Sequence, residues 1–330
     1  MKMNTQRPNA WAQAGQWYGR QSFKGILPAL VLLILITAVG SQGQFFRWNN
    51  ITNLLRQAAP VGIMASAGVF VIVGGNIDLS VGSTLSLTAL ISCNLVGTST
   101  ALALIVPIIV GVLCGGFNGL LVGVLRFNPF ISTLGTMTLF QAFAYFYSDN
   151  KFLSAAENET YRLMGQGSWG TIPIPFFILL LVCALFMVLL SKTSFGRNVY
   201  IQGGNAECAK YSGISYAWTT TLTYALAGAA AALGGAILVS RGMAAQPEMG
   251  LGREFELITG MVVGGVALSG GRGSVLSGVL GVLFVVVLNN AFIMLEIPLY
   301  YQYSVMGLII LLAVGLDVLS ERRNTRGKKA

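Results

Sequence analysis

Ten apolar stretches, each near the length needed to cross a bilayer as a helix, follow one another along this chain. They cover residues 25–41, 59–75, 80–97, 101–125, 129–148, 172–191, 216–240, 256–269, 275–295 and 298–319. A helix rises about 1.5 Å per residue and the hydrocarbon core of a membrane is about 30 Å thick, so about 20 apolar residues form the natural unit. Only 9 % of the 330 residues are charged and 55 % are hydrophobic, more apolar surface than a soluble domain of this length buries. The expected fold is therefore all-α, a polytopic transmembrane helical bundle of about ten spans. Two places weaken the count: the break Gly74-Gly75-Asn76-Ile77-Asp78, all that separates the second and third stretches and so a candidate break inside the membrane, and the short eighth stretch.

Orientation follows from the basic residues in short loops, which favour the cytoplasmic side. With the N-terminus inside, the inner set is Lys2, Arg7, Arg20, Lys24, Arg126, Lys192, Arg197, Lys210, Arg272, Arg322, Arg323, Arg326, Lys328 and Lys329. The outer set is Arg47, Arg56, Lys151, Arg162, Arg241 and Arg253, so fourteen oppose six and both termini are expected in the cytoplasm. This divides the chain into a cytoplasmic segment 1–24, a transmembrane region 25–320 with a cytoplasmic loop 192–215, and a basic tail 321–330. The tail reads as a juxtamembrane stop attracted to anionic lipid, with no nucleic-acid role. The first apolar run has a basic flank but reads as an uncleaved helix, because many spans follow it.

The chain has no histidine, so the commonest general base, metal ligand and near-neutral pH switch are absent. Cys93, Cys114, Cys183 and Cys208 form no CxxC pair, and three of them lie in apolar runs, where Cys behaves as a small hydrophobe. Neither a catalytic group nor a metal site is expected.

Gly111, Gly115, Gly119 and Gly123 recur every fourth residue along the fourth span, putting four residues without a Cβ on one face. That pattern lets another backbone approach closely, and helix packing is the expected role. Ala227, Ala231 and Gly235 repeat the habit on the seventh span. Asp78 lies between two spans, where an unpaired charge at the bilayer centre costs about 2.5–3.5 kcal/mol on insertion scales. Either Asp78 and Ser80 cap a helix start after a break at Asn76, or these three residues belong to a gate or pathway. Asn289 and Asn290 in the ninth span pose the same choice between interhelical glue and pathway. Gly270-Gly271-Arg272-Gly273-Ser274 lacks the GxxxxGK[ST] pattern of a phosphate-binding loop and reads as a tight turn.

The loop 192–215 is longer than two helices need. Asn205 is placed to cap a short helix from Ala206 to about Ser212, ended by Gly213, which would give the loop a rigid knob.

Four stretches, in this order, resemble signatures of bacterial monosaccharide ABC importer permeases of the ribose, xylose and galactose type. They are Ile77-Asp78-Leu79-Ser80-Val81-Gly82-Ser83, Asn128-Pro129-Phe130-Ile131-Ser132-Thr133-Leu134-Gly135-Thr136-Met137, Lys192-Thr193-Ser194-Phe195-Gly196-Arg197 leading to Gly203-Gly204-Asn205 and Ser212-Gly213-Ile214, and Leu268-Ser269-Gly270-Gly271-Arg272-Gly273-Ser274. One departure is Asn76, where that family often has Gly. The resemblance implies a transport subunit of the bacterial inner membrane, present in two copies, as a homodimer or with a paralogue. It implies a cytoplasmic ATP-binding-cassette subunit that hydrolyses the ATP, a periplasmic sugar-binding protein, and no cofactor on this chain. The ATPase would dock at Phe195, Gly196, Arg197, Gly203, Gly204, Asn205 and Glu207. The external stretches 148–171 and 241–256 would receive the binding protein, with Glu248, Arg253 and Glu254 as exposed charges. The alternative is an ion-coupled secondary transporter or channel, which calls for several ionisable residues within spans. Only Asp78, Glu296 and Asp317 are candidates.

Overall fold

The computed structural model describes residues 23–298, together with 300–302, 304–309, 311, 312 and 315. Its helices are α1 (Phe23–Gly40), α2 (Trp48–Val73), α3 (Val81–Leu95), α4 (Thr100–Gly119), α5 (Pro129–Ser148) and α6 (Glu159–Gln166). They continue with α7 (Ile174–Lys192), α8 (Ser194–Gly204), α9 (Ala206–Tyr211), α10 (Tyr216–Gly242), α11 (Arg253–Val263) and α12 (Val275–Met294). Residues 300–302 and 304–309 are helical as well, so the tenth expected stretch is described only in part, and the basic tail lies outside the described residues. Two antiparallel pairs of two-residue strands tie loops together: β1 (Leu153–Ser154) with β4 (Ala244–Ala245), and β2 (Ser168–Trp169) with β3 (Ile172–Pro173).

The helix boundaries follow local chemistry. Asn128 opens α5 by accepting from the N–H groups of Phe130 (3.0 Å) and Ile131 (3.3 Å), with Pro129 at the first position, where its missing N–H costs nothing. Ser274 and Ser277 form a reciprocal capping box at the start of α12. The end of α4 widens into a π-helical turn, Leu120–Val124, before the chain turns at Arg126.

Among the described residues, five helices are long and apolar enough to cross a membrane: α2, α4 with its π turn, α7, α10 and α12. The second span starts at Trp48, well before the expected residue 59. The polar residues of its first half depress the hydropathy there, and two of them reach partners remote in the chain: Asn50 donates to Asn290, and Arg56 Nη2 to the Gln166 carbonyl (2.9 Å). The third helix has 15 residues and α11 has 11, about 22 Å and 16 Å long, so neither spans the hydrocarbon layer as a straight rod. Every residue of α3 from Val81 to Leu90 is buried, so its surroundings are protein. The short α11 is the second half of a broken segment. Beyond α10 the chain runs down along α3 until the N–H of Gly250 donates to Ser86 Oγ (2.8 Å) and Gly250 presses on Gly82. There α11 begins, and it ends at Gly264 and Gly265, the latter at φ 91°.

The centre of the bundle is α10, flanked by α2, α3 and α4. Along α4 the four glycines lie against the α10 backbone: a Cβ on Gly111, Gly115 or Gly119 would overlap Gly228, Tyr224 or Thr221, and one on Gly123 would stand 2.9 Å from the Ala217 carbonyl. The α10 residue that makes this approach is Gly228, one position from the expected Ala227. Gly235 instead faces α3, 3.1 Å from the Leu85 carbonyl in the same sense. Outward faces of α1, α4 and α7 are aliphatic, with Leu32, Ile105 and Leu181 well exposed, as lipid-facing surfaces require.

Candidate functional site

The loop 192–215 is two helices where one was expected. Thr193 caps α8 by accepting the Gly196 N–H (3.2 Å), and α8 lies down on the bundle with Gly196, Val199 and Gln202 buried. The Phe195 ring stacks on Phe70 of α2 (centroids 5.9 Å apart, planes at 17°), and Gly196 sits so close to the Leu190 carbonyl that no side chain fits. Asn205 then caps α9 through the Cys208 N–H (2.9 Å), and Gly213, at φ 73°, follows its end. Of the seven residues expected to dock a partner, Phe195, Gly196 and Gly203 are spent on internal packing. Arg197, Gly204, Asn205 and Glu207 face outward, beside Lys210 and Tyr211.

The C-terminal end of α8 meets two other chain segments in a junction of glycines. The Val73 carbonyl, at the end of α2, accepts the Gly271 N–H (2.8 Å), and Gly203 lies so close to the same carbonyl that a Cβ would overlap it. A Cβ on Gly270 would stand 2.9 Å from Gly75 Cα, and one on Gly271 2.6 Å from Gly204 Cα. Gly75, Gly270 and Gly271 also hold φ values of 79°, 81° and 70°, which glycine adopts without a Cβ penalty. Side chains reinforce the junction: Tyr200 Oη donates to the Gly273 carbonyl (2.7 Å), and buried Gln202 donates to Thr220 Oγ1 (3.0 Å) and the Gly74 carbonyl (3.4 Å). The sequence gives no local sign of Tyr200 or Gln202, because their partners are remote in the chain.

The break after α2 leads from this junction into the bundle. Buried Asn76 donates to the Gly74 carbonyl (3.2 Å) and accepts from Tyr216 Oη (3.2 Å), whose ring carries the Arg126 guanidinium 3.9 Å from its centroid. Asp78 Oδ1 accepts both the N–H (2.9 Å) and the hydroxyl (2.7 Å) of Ser80, a local turn that leads into α3. Ser80 is the N-cap residue, but neither side chain accepts from an N–H of the helix, so the expected side-chain cap is not made. Ser80 Oγ instead accepts from Asn118 Nδ2 (2.6 Å). Tyr224 Oη donates to the Ile77 carbonyl (2.7 Å). Beside Asp78 is a cavity of about 20 Å³ among Gly68, Ala227, Leu257 and Met261, room for one water and far too small for a sugar. Asn290 forms a reciprocal amide pair with Asn50 (3.2 and 2.8 Å), while Asn289 donates to Glu256 Oε1 (3.2 Å).

At the other end of the bundle, α6 is fastened by the buried Tyr161, whose hydroxyl bridges Ser92 Oγ (2.6 Å) and the Ala236 carbonyl (3.0 Å). Glu248 is exposed and accepts from Tyr145 (3.1 Å), and Arg253 pairs with Glu256 (3.8 Å). Glu254, expected to be an exposed charge, is buried: α11 begins inside the bundle, and the carboxylate turns back to accept the Gly252 N–H (3.2 Å) against Gly82.

The chain belongs to the family described as branched-chain amino acid transport system / permease component, whose model matches residues 50–314. It is 40 % identical over 306 residues to the ribose import permease protein RbsC of Bacillus subtilis (strain 168), covering 90 % of this chain and 95 % of that one. It is 33 % identical over 294 residues to the D-allose transport system permease protein AlsC of Escherichia coli (strain K12), covering 88 % and 90 %. With the L-arabinose transport system permease protein AraH of the same strain it shares 33 % over 301 residues, covering 89 % of each. No solved structure matches the chain.

Proposed function

We propose that this chain is the membrane-spanning subunit of an ATP-binding-cassette importer that carries a monosaccharide or related polyol across a bacterial inner membrane. The observation that carries the proposal is the 40 % identity to a ribose import permease over 90 % of the chain, with relatives named for ribose, allose and arabinose. In this reading ten spans leave both termini in the cytoplasm. A separate cytoplasmic ATPase docks on the outward residues Arg197, Gly204, Asn205 and Glu207, and a periplasmic binding protein delivers the sugar beside α6. The chain itself binds no cofactor and performs no catalysis.

Two copies would form the path. The bare face of α5 supports this, because it differs from the aliphatic lipid faces of α4 and α7. It mixes Ile131, Leu134, Leu139 and Phe143 with Gly135 and Thr138. The test is reconstitution in liposomes with and without the ATPase subunit and the binding protein. Sugar uptake is expected only with all components and ATP; uptake by this chain alone, driven by an ion gradient, would overturn the proposal.

A further inference from the structure

From the glycine junction we infer that the moving body of the transporter is larger than the docking loop and its two flanking helices. The Val73–Gly203–Gly271 contact makes the end of α2 and the loop 264–274 move with α8, with Tyr200 and Gln202 as positioning residues. This rests on the docking role proposed for the loop 192–215, and its test separates the two.

The argument is one of rigidity. If α8 tilted with only α7 and α10, Gly203 would have to slide past the Val73 carbonyl, to which no side chain stands between and no gap remains. The same carbonyl is already held by the Gly271 N–H (2.8 Å), so displacing α8 displaces the loop 264–274 too. Packed backbones of this kind have few intermediate positions, so they transmit displacement instead of absorbing it. Two hydrogen bonds span the same seam: Tyr200 to the Gly273 carbonyl, and Gln202 to the Gly74 carbonyl. Beyond Gly74 lie Asn76 and Asp78, and beyond Gly273 lies the capping box of α12. A push on α8 therefore reaches the first turns of both α3 and α12, neither of which borders the loop 192–215 in sequence. Tyr216, at the start of α10, grips Asn76 and closes the circuit.

The experiment uses the complete importer in proteoliposomes and reads three quantities: co-purification of the ATPase subunit, ATP hydrolysis, and sugar taken up per ATP. Tyr200→Phe removes only the hydroxyl on Gly273, Gly203→Ala inserts a methyl at the Val73 carbonyl, and Glu207→Lys alters only the outward face. Tyr200→Phe and Gly203→Ala are expected to keep the ATPase bound and hydrolysing while uptake per ATP falls by about threefold or more. Glu207→Lys is expected to weaken ATPase association. Unchanged uptake per ATP in a folded Tyr200→Phe importer would overturn the junction's role, as would loss of ATPase association in step with uptake. If Gly203→Ala fails to fold, Tyr200→Phe decides alone. Intact association in Glu207→Lys would count against the docking reading without touching the stiffness of the junction.

Discussion

The amide pair between Asn50 and Asn290 offers the sharpest test of whether the polar residues of the ninth span hold helices together or touch the cargo. Among the described residues Asn290 has one side-chain partner, Asn50, whereas Asn50 also donates to the Phe45 carbonyl (2.9 Å). Both side chains are buried. Replacing either with Leu strands its partner, and a buried unsatisfied polar group costs about 1–3 kcal/mol. The costs are unequal. Asn50→Leu leaves Asn290 without a side-chain partner and frees the Phe45 carbonyl as well, so it belongs at the upper end of that range. Asn290→Leu leaves Asn50 one bond and belongs at the lower end. The double variant strands neither amide, so its cost should fall short of the sum by about 0.6–1.7 kcal/mol, the size of coupling measured between membrane helices. Thermal unfolding of the four proteins in detergent gives the cycle, and uptake by the reconstituted importer gives the function. The double variant should transport normally. Additive costs would refute the pairing, and a stable Asn290→Leu protein that fails to transport would assign Asn290 to the pathway.

Three further expectations concern packing and hydrogen bonds. Gly228→Val drives a branched side chain into the Gly111 carbonyl on α4 and should cost at least about 1–3 kcal/mol, read as a lowered melting temperature and poorer yield of folded protein. An unchanged melting temperature would mean that α4 and α10 do not approach as described. Asp78→Asn keeps the single oxygen that accepts both Ser80 bonds and should transport near normally, whereas Asp78→Ala loses both and should be less stable by about 1 kcal/mol or more, the net worth of a lost hydrogen bond. A well-folded but inactive Asp78→Asn protein would show that the charge itself is used. Tyr161→Phe removes the hydroxyl bridging Ser92 and Ala236, a loss of about 1 kcal/mol, and should speed amide exchange in α6 about fivefold while leaving α10 protected.

The sequence made some of this architecture legible because it is local. The apolar runs of α4, α5, α7 and α12 lie within a few residues of their expected bounds. The Asn205 cap and the four-residue glycine spacing of α4 are likewise encoded in neighbouring positions. What escaped was tertiary. The segment Ser194–Gly204 contains three glycines and has little intrinsic preference for a helix. It is helical because Val199 and Gln202 find burial against α2 and α10. The junction brings together Gly74 and Gln202, which are 128 residues apart, and Tyr200 and Gly273, 73 apart, so no window on the sequence contains it. Asn118 escaped for a related reason. It stands between Gly115 and Gly119 on a face that advertises only close packing, and its amide matters because Ser80 happens to arrive opposite.

The broken segment between α10 and α11 bears on how the molecule is made. A non-helical stretch of backbone at this depth cannot enter lipid on its own, since each N–H or C=O without a partner costs several kcal/mol in hydrocarbon. Its partners are already specified: Ser86 for the Gly250 N–H, Gln141 for the Pro247 carbonyl (2.8 Å), and the β1 strand for Ala244 and Ala245. All of them come from chain synthesised earlier, in α3, α5 and the loop after α5. The last third of the protein thus enters a slot prepared by the first half, and biogenesis acquires an order in which α3 and α5 must be seated before residues 243–263 leave the translocation machinery.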